Sequence, residues 1–333
     1  GAAAGWSEAG VVIPWTNYVN YGDRRLLEEH FDAAVRQIEA SLAQNPTLVR
    51  RDEPETTYGD WLDARTVSLG DVWNAFDKSV PTIPKDVFAT AYWYRATNLV
   101  AKMAAAIGKD DEAAKYRAMA DNIKSAFQGA FVADDGTIEG DAQSCYAIAL
   151  DFGLLEPERE HLAFEHLLQA VERHGKRLST GIHGTKSLLR ALSANGQHEL
   201  AYHLVARPFL PSYGYMVASG ATTIWERFDA YKSDRGFNPH TMNALNHVGL
   251  SSVGEWLFRF VAGINPDEEA PAYGHFFVHP RLTPGVTWAE GEYESVRGKI
   301  ASAWRLNDGQ FRLTVTVPPG ATAGVHLPCG DPD

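Results

Sequence analysis

Between residues 23 and 206 apolar side chains recur at the three- and four-residue spacing of one helix face, and glycine ends the pattern again and again. Residues 23–43 carry Leu26, Leu27, Phe31, Ala34, Val35, Ile38 and Leu42 on one stripe, with Asp23 placed to cap the first turn. A second helix is expected from Asp86 to Ile107, closed by Gly108. Asp110 and Asp111 open a third, which runs to Phe127 with Ala113, Tyr116, Ala120 and Ile123 on its apolar face. The pattern predicts further helices over 142–152, 158–174, 185–195 and 198–206, stopped by Gly153, Gly175 and Gly196, and a long one over 240–262 behind Pro239. Such a chain buries its stripes by pairing helices, so residues 1–265 read as an all-α domain of helical hairpins. The hairpins share no strict sequence period, which disfavours a solenoid of identical repeats.

Near Asn265-Pro266-Asp267 the period changes from helical to alternating. Short β-branched and aromatic runs follow at 276–278, 286–288, 298–306, 310–317 and 323–327, with Phe311, Leu313, Val315 and Val317 alternating most clearly. Asn307-Asp308-Gly309 is a hairpin turn signal, because Asp and Gly tolerate positive φ. Residues 266–333 are therefore expected to form a small antiparallel β domain, packed against the helices because a unit of this size buries little core alone.

The 333 residues carry 30 Lys and Arg against 42 Asp and Glu, a formal charge of −12, which opposes a partner recognised through phosphates. Cys145 and Cys329 are the two cysteines of the sequence, so neither a disulfide framework nor a cysteine zinc site is expected. Cys145 lies in an apolar helix and reads as a small buried hydrophobe. No apolar run reaches the roughly 18 residues that span a bilayer. His161 and His166 stand five apart, a poor spacing for sharing a metal on one helix face, and no phosphate-cradling glycine loop, dinucleotide fingerprint or HExxH motif is present. No metal, cofactor, nucleic acid or membrane is therefore expected. The chain starts on Gly1-Ala2-Ala3-Ala4 without a Met and enters a dense motif at once, so an upstream segment is expected to have been removed, and the compartment is not readable.

Three segments concentrate Trp, acid and Gly outside the helical stripes: Gly5-Trp6-Ser7-Glu8-Ala9, Tyr58-Gly59-Asp60-Trp61-Leu62 and the stretch from Gly220 to Asp229. A fourth, Asn243-Ala244-Leu245-Asn246-His247, is expected to open the long helix, with His247 on its apolar face. Trp beside carboxylate suits a pyranose: the sugar C–H face stacks on the ring, while carboxylates accept hydroxyl hydrogen bonds or move protons. Trp15, Trp73, Trp93, Trp256, Trp288 and Trp304 fall outside these segments and are assigned to packing.

The stretch Ala221-Thr222-Thr223-Ile224-Trp225-Glu226-Arg227-Phe228-Asp229, together with the other three segments, resembles the catalytic domain of family 78 α-L-rhamnosidases. Pro280-Arg281 and Gly298-Lys299-Ile300 are similar to that family's C-terminal domain, so the resemblance covers nearly the whole chain. It implies a partial (α/α)6 toroid of six-hairpin type followed by a small antiparallel β-sandwich, and inverting hydrolysis of terminal α-L-rhamnosides. On that resemblance Glu226 is the general base, and Trp6, Trp61 and His247 line the sugar subsite beside Trp225. Asp60 is either a helix cap or a sugar-hydroxyl acceptor, and Glu8 either binds substrate or caps the following segment. Phe228 stands where the family commonly has Trp. The family's general acid, a Glu in an Asp-Glu-Arg-x-Gly-Trp stretch upstream of the Gly-Trp-Ser motif, has no counterpart in 1–333, so the fragment alone is expected to lack it. The implied partners are rhamnose-containing glycosides or oligosaccharides. The alternatives are a non-catalytic sugar-binding module on this scaffold, or a toroid glycosidase for another deoxysugar or a uronic acid.

Overall fold

The structure is a computed structural model that describes residues 3–51, 58–67, 79–240 and 242–328. Trp73 and Cys329, discussed above, lie outside the described residues. The helices are α1 (Ala9–Tyr21), α2 (Arg24–Gln44), α3 (Lys85–Ala106), α4 (Asp110–Phe131), α5 (Gln143–Phe152), α6 (Pro157–Arg173), α7 (Ile182–Ala194), α8 (His198–Ala206), α9 (Tyr213–Ala218) and α10 (Val253–Trp256). Helices α1, α3, α5, α7 and α10 touch one another in succession, and α2, α4, α6 and α8 back them as partners. The result is an arc of helical hairpins with an inner and an outer layer.

Sequence decides which layer each helix joins. Helix α3 buries residues on every side, from Val87 and Phe88 to Met103 and Ala104, as an inner helix must. Helix α2 buries only Leu27, Phe31, Ala34 and Ile38, the single stripe of an outer helix. The Asp23 side chain caps α2 as expected by accepting the Arg25 N–H at 3.0 Å. Helix α1 escaped the sequence pattern because Pro14 sits inside it, where proline ordinarily breaks a helix.

The long helix expected over 240–262 forms only in its second half. Residues 242–248 are irregular, a short 3₁₀ turn spans Gly249–Ser252, and α10 follows, widening over Leu257–Val261 to close with Ala262 N–H on Leu257 O. The backbone here is committed elsewhere: Ala244 pairs with Glu226, the His247 N–H donates to Ile224 O, and the Asn243 amide donates to the carbonyls of Ala230 and Asn238. A segment so engaged cannot supply i to i−4 bonds. His247 accordingly lies in a loop and opens no helical face.

A two-stranded ribbon, β1 (Tyr231–Lys232) and β2 (Gly236–Phe237), decorates the helical part. The chain then leaves the last inner helix through Gly263 and enters two three-stranded sheets. One has the order β3 (Ile264–Pro266), β4 (His275–Val278), β8 (Thr322–Val325), and the other is the meander β5 (Trp288–Ser295), β6 (Gly298–Asn307), β7 (Gln310–Thr316). Asp308 and Gly309 take φ of 49° and 76° in the β6–β7 turn, as the Asn-Asp-Gly signal predicts. The tail is not wholly antiparallel, since β4 pairs β8 in parallel, and the whole β5–β7 meander serves as the long crossover that a parallel pair needs. It packs on the helices: Trp304 is 1% exposed and donates Nε1–H to Val261 O at 2.8 Å, and the Ser302 hydroxyl donates to Ala262 O at 2.7 Å. Trp15, Trp93 and Trp256 are buried as expected, but Trp288 is 56% exposed on the first residue of β5, with Arg305 over its ring.

Candidate functional site

The Gly59-Asp60-Trp61 loop docks on the start of α7. Asp60 is buried, and its carboxylate accepts the backbone N–H groups of Gly181 (2.7 Å), His183 (3.0 Å) and Gly184 (2.8 Å) and the Ser144 hydroxyl (2.5 Å). These backbone donors lie where a helix start leaves N–H groups without an intrahelical acceptor, so Asp60 caps α7 from a loop far away in sequence. A carboxylate offers about four acceptor positions and all are used here. Of its two possible roles the geometry supports the cap. Gly184 allows the approach, since a Cβ there would lie 2.4 Å from both Asp60 Oδ2 and Ser144 Oγ.

The same loop sets the aromatic wall. The Ile182 N–H donates to Trp61 O at 2.9 Å, fixing Trp61 on the end of α7. Trp61 meets Tyr58 with centroids 5.2 Å apart, Tyr58 meets Trp6 at 6.4 Å, and Trp6 meets His183 edge-to-face at 5.1 Å. The two expected subsite tryptophans thus share one wall through Tyr58, with Trp6 39% exposed. Sequence reading missed Tyr58 and His183. Tyr58 lay inside a segment already singled out, and His183 stands in Gly181-Ile182-His183-Gly184, a glycine-flanked helix start.

Two further carboxyls flank the wall. Glu8 is 4% exposed and accepts the Gly5 N–H at 2.7 Å and the Ser7 hydroxyl at 3.3 Å, bracing the turn that carries Trp6. Burial raises its pKa against the opposing pull of these bonds and of Arg50. Asp63 caps the turn Ala64–Thr66 through the Arg65 N–H, and burial together with the charge of Asp60 pushes it up to about 7.

Glu226 sits on a segment that pairs with the 243–247 loop. Its backbone N–H donates to Ala244 O at 2.9 Å, and its Oε2 accepts the Ala244 N–H at 2.9 Å, which pins the side chain. Oε1 lies 4.0 Å from His247 Nε2, too far for a direct hydrogen bond. The Gly249 N–H donates to His247 Nδ1 at 3.0 Å, so a neutral imidazole carries its proton on Nε2, on the side of Glu226. The neighbours of Glu226 diverge from it. Arg227 is buried and turns to Asp229, with Nε to Oδ1 at 2.7 Å, and also reaches Thr66 O. Trp225 is 5% exposed within the hydrophobic core, and Phe228 packs edge-to-face on Tyr213 at 5.3 Å.

Gly249 links the two halves, because a Cβ there would lie 3.0 Å from Ile182 Cγ2 and 3.1 Å from His247 Nδ1. The start of α7, which holds Trp61, is therefore in contact with the loop that holds His247. A cavity of about 560 Å³ lies elsewhere, along the inner helices, where Lys186, Arg190 and Arg259 converge on Glu255 and Asp151. Among the described residues no group of three or more His, Cys, Asp or Glu could hold a metal ion, and no helix is long and apolar enough to cross a membrane.

Comparison with known proteins identifies the fold. The bacterial α-L-rhamnosidase six-hairpin glycosidase domain matches residues 1–261, and the bacterial α-L-rhamnosidase C-terminal domain matches residues 263–333. An α-L-rhamnosidase of Streptomyces avermitilis is 37% identical over 99% of this chain, and one of Formosa agariphila is 31% identical over 98%. The chain spans 30% and 34% of those two relatives. Among solved structures, the S. avermitilis α-L-rhamnosidase complexed with L-rhamnose superimposes with a TM-score of 0.88 at 36% identity, over 97% of this chain and 29% of that one. The native α-L-rhamnosidase of Aspergillus terreus gives 0.86 at 26% identity, over 98% of this chain and 37% of that one. The chain belongs to the bacterial α-L-rhamnosidase family, as its six-hairpin glycosidase domain followed by its C-terminal domain.

Proposed function

We infer that residues 1–333 are part of an inverting glycoside hydrolase that releases terminal α-L-rhamnose, with Glu226 as the general base. One observation carries the reading: Oε2 of Glu226 is tied to the Ala244 N–H, while Oε1 faces His247 Nε2 across a 4.0 Å gap. A water set against that gap would donate to the carboxylate and accept from the imidazole. Glu226 would take its proton as the oxygen attacks the anomeric carbon. Trp6 and Trp61 would stack on the sugar, and their π faces would each favour the positive charge growing on the ring by about 0.5–2 kcal/mol. Asp60 and Glu8 would hold these two rings in place through the hydrogen bonds described above.

Inversion needs a second carboxyl about 6.5–9.5 Å from the base, which protonates the leaving oxygen. We place this acid outside residues 1–333, in keeping with a chain that spans about a third of its relatives. The test is the anomer released first from an aryl α-L-rhamnoside by a full-length protein containing this chain, read by proton NMR. β-L-Rhamnose supports an inverting enzyme, and α-L-rhamnose refutes it. Binding of L-rhamnose without turnover would instead favour the non-catalytic sugar-binding module.

A further inference from the structure

We propose that His183 is a sugar-binding residue of this subsite, its Nε2 taking a ring hydroxyl of the bound deoxyhexose. The inference rests on the rhamnoside reading above and adds a contact to it.

Four observations carry it. The Nδ1 atom of His183 is 3.0 Å from the Tyr92 hydroxyl, whereas Nε2 is buried and has no hydrogen-bond partner among the described residues. Burial pushes the Tyr92 phenol up, so it keeps its proton, and burial also lowers the pKa of His183, with Arg95 adding to that and Asp60 opposing it. The ring is thus a neutral imidazole whose Nε2 stays unpaired in either tautomer. A buried polar atom in that state costs about 1–3 kcal/mol, which a ligand hydroxyl would recover.

The surroundings select the ligand. Trp6, Phe88 and Tyr92 pack around the imidazole with centroids 5.1–5.4 Å away, so the nitrogen is set among aromatic rings. That is how a pyranose is recognised, by ring faces with a few fixed polar groups. The position is also fixed relative to the rest of the subsite. The His183 N–H is held by Asp60, the carboxylate that anchors the Trp61 loop. Gly5, before Trp6, is pressed against the same cage: at its φ of 83°, a Cβ would lie 2.7 Å from Phe88 and 3.3 Å from His183 Cε1. Trp6 is the exposed member of the cage and lies in the turn ahead of α1, and in this proposal its indole moves aside to admit the hydroxyl.

The experiment is isothermal titration of a full-length protein containing this chain with L-rhamnose and with its 2-, 3- and 4-deoxy analogues, for the unmodified protein, His183→Phe and His183→Gln. Phe keeps a flat ring in the cage, and Gln returns an amide N–H near the Nε2 position. His183→Phe is expected to weaken L-rhamnose about 10-fold, the worth of one such hydrogen bond, and His183→Gln to restore part of the loss. One deoxy analogue should bind unmodified protein and His183→Phe equally, which identifies the hydroxyl. If every analogue shows the same wild-type to His183→Phe ratio as L-rhamnose, the residue acts through folding and the inference is overturned. L-Rhamnose binding that His183→Phe leaves unchanged also overturns it while sparing the rhamnoside reading. Absence of L-rhamnose binding by the unmodified full-length protein removes both.

Discussion

Glu226 and Ala244 grip one another twice, backbone N–H to carbonyl in one direction and N–H to carboxylate in the other, both at 2.9 Å. The Ala244 N–H to Oε2 hydrogen bond holds the carboxylate and leaves Oε1 directed at His247. Glu226→Gln keeps an oxygen for the Ala244 N–H and removes the ability to take a proton. In a full-length protein containing this chain, kcat on an aryl α-L-rhamnoside should fall by about 10²–10⁴ with little change in melting temperature. Turnover within a few-fold of the parent would remove Glu226 from the base role.

Asp60 offers a stability test separate from activity. Asp60→Asn replaces one acceptor oxygen with an NH₂ group facing donors already present at Gly181, His183, Gly184 or Ser144. The cost should be about 2–4 kcal/mol in urea unfolding, from a lost charge-assisted cap and a newly opposed buried donor. Gly184→Ala should be comparably harmful because its methyl would enter the same space. A mutant as stable as the parent would show that the cap is not needed.

Asp63 predicts a pH dependence. Its native pKa is raised from 3.8 to about 7, by burial first and by Asp60 second, so the native state holds a proton that the unfolded chain gives up. Its contribution to stability is complete below about 3.8 and is lost as pH rises towards 7. Asp63→Asn, which still accepts the Arg65 N–H, should match the parent near pH 4 and exceed it at pH 8. Paired urea midpoints at the two pH values check this, and equal midpoints at pH 8 would contradict the shift.

Trp304 tests how the β unit is attached. Trp304→Ala empties a fully buried site and frees Val261 O, and should destabilise by about 3–5 kcal/mol. Trp304→Phe fills most of the volume and loses chiefly the indole hydrogen bond, so about 1–2 kcal/mol is expected. Equal effects of the two substitutions would show that the hydrogen bond, not the packing, holds the contact.

The hairpin arc was legible in the sequence because apolar spacing and glycine stops are local signals: Gly153, Gly175 and Gly196 all take positive φ just past a helix. The first half of the 240–262 segment was not, because its helical spacing competes with non-local pairing to residues 224–230 that spacing cannot reveal. Trp6 and Trp61 were found through their glycine-rich, acidic surroundings, and the structure adds the bridge of Tyr58 between them. Trp225 adjoins Glu226 in sequence yet belongs to the hydrophobic core, while Glu226 is held by Ala244 and faces His247. His183 was invisible for a similar reason. Its meaning comes from Tyr92, Trp6 and Asp60, which lie 91, 177 and 123 positions away.

The last inner helix ends on Val261 and Ala262, and the carbonyls that a helix terminus would leave bare are met there by Trp304 and Ser302 from the adjoining sheet. Fraying from that end therefore requires the sheet to let go first. Calorimetry of the intact polypeptide should consequently show one cooperative endotherm shared by helices and strands, and not a low-temperature shoulder from an independently melting tail.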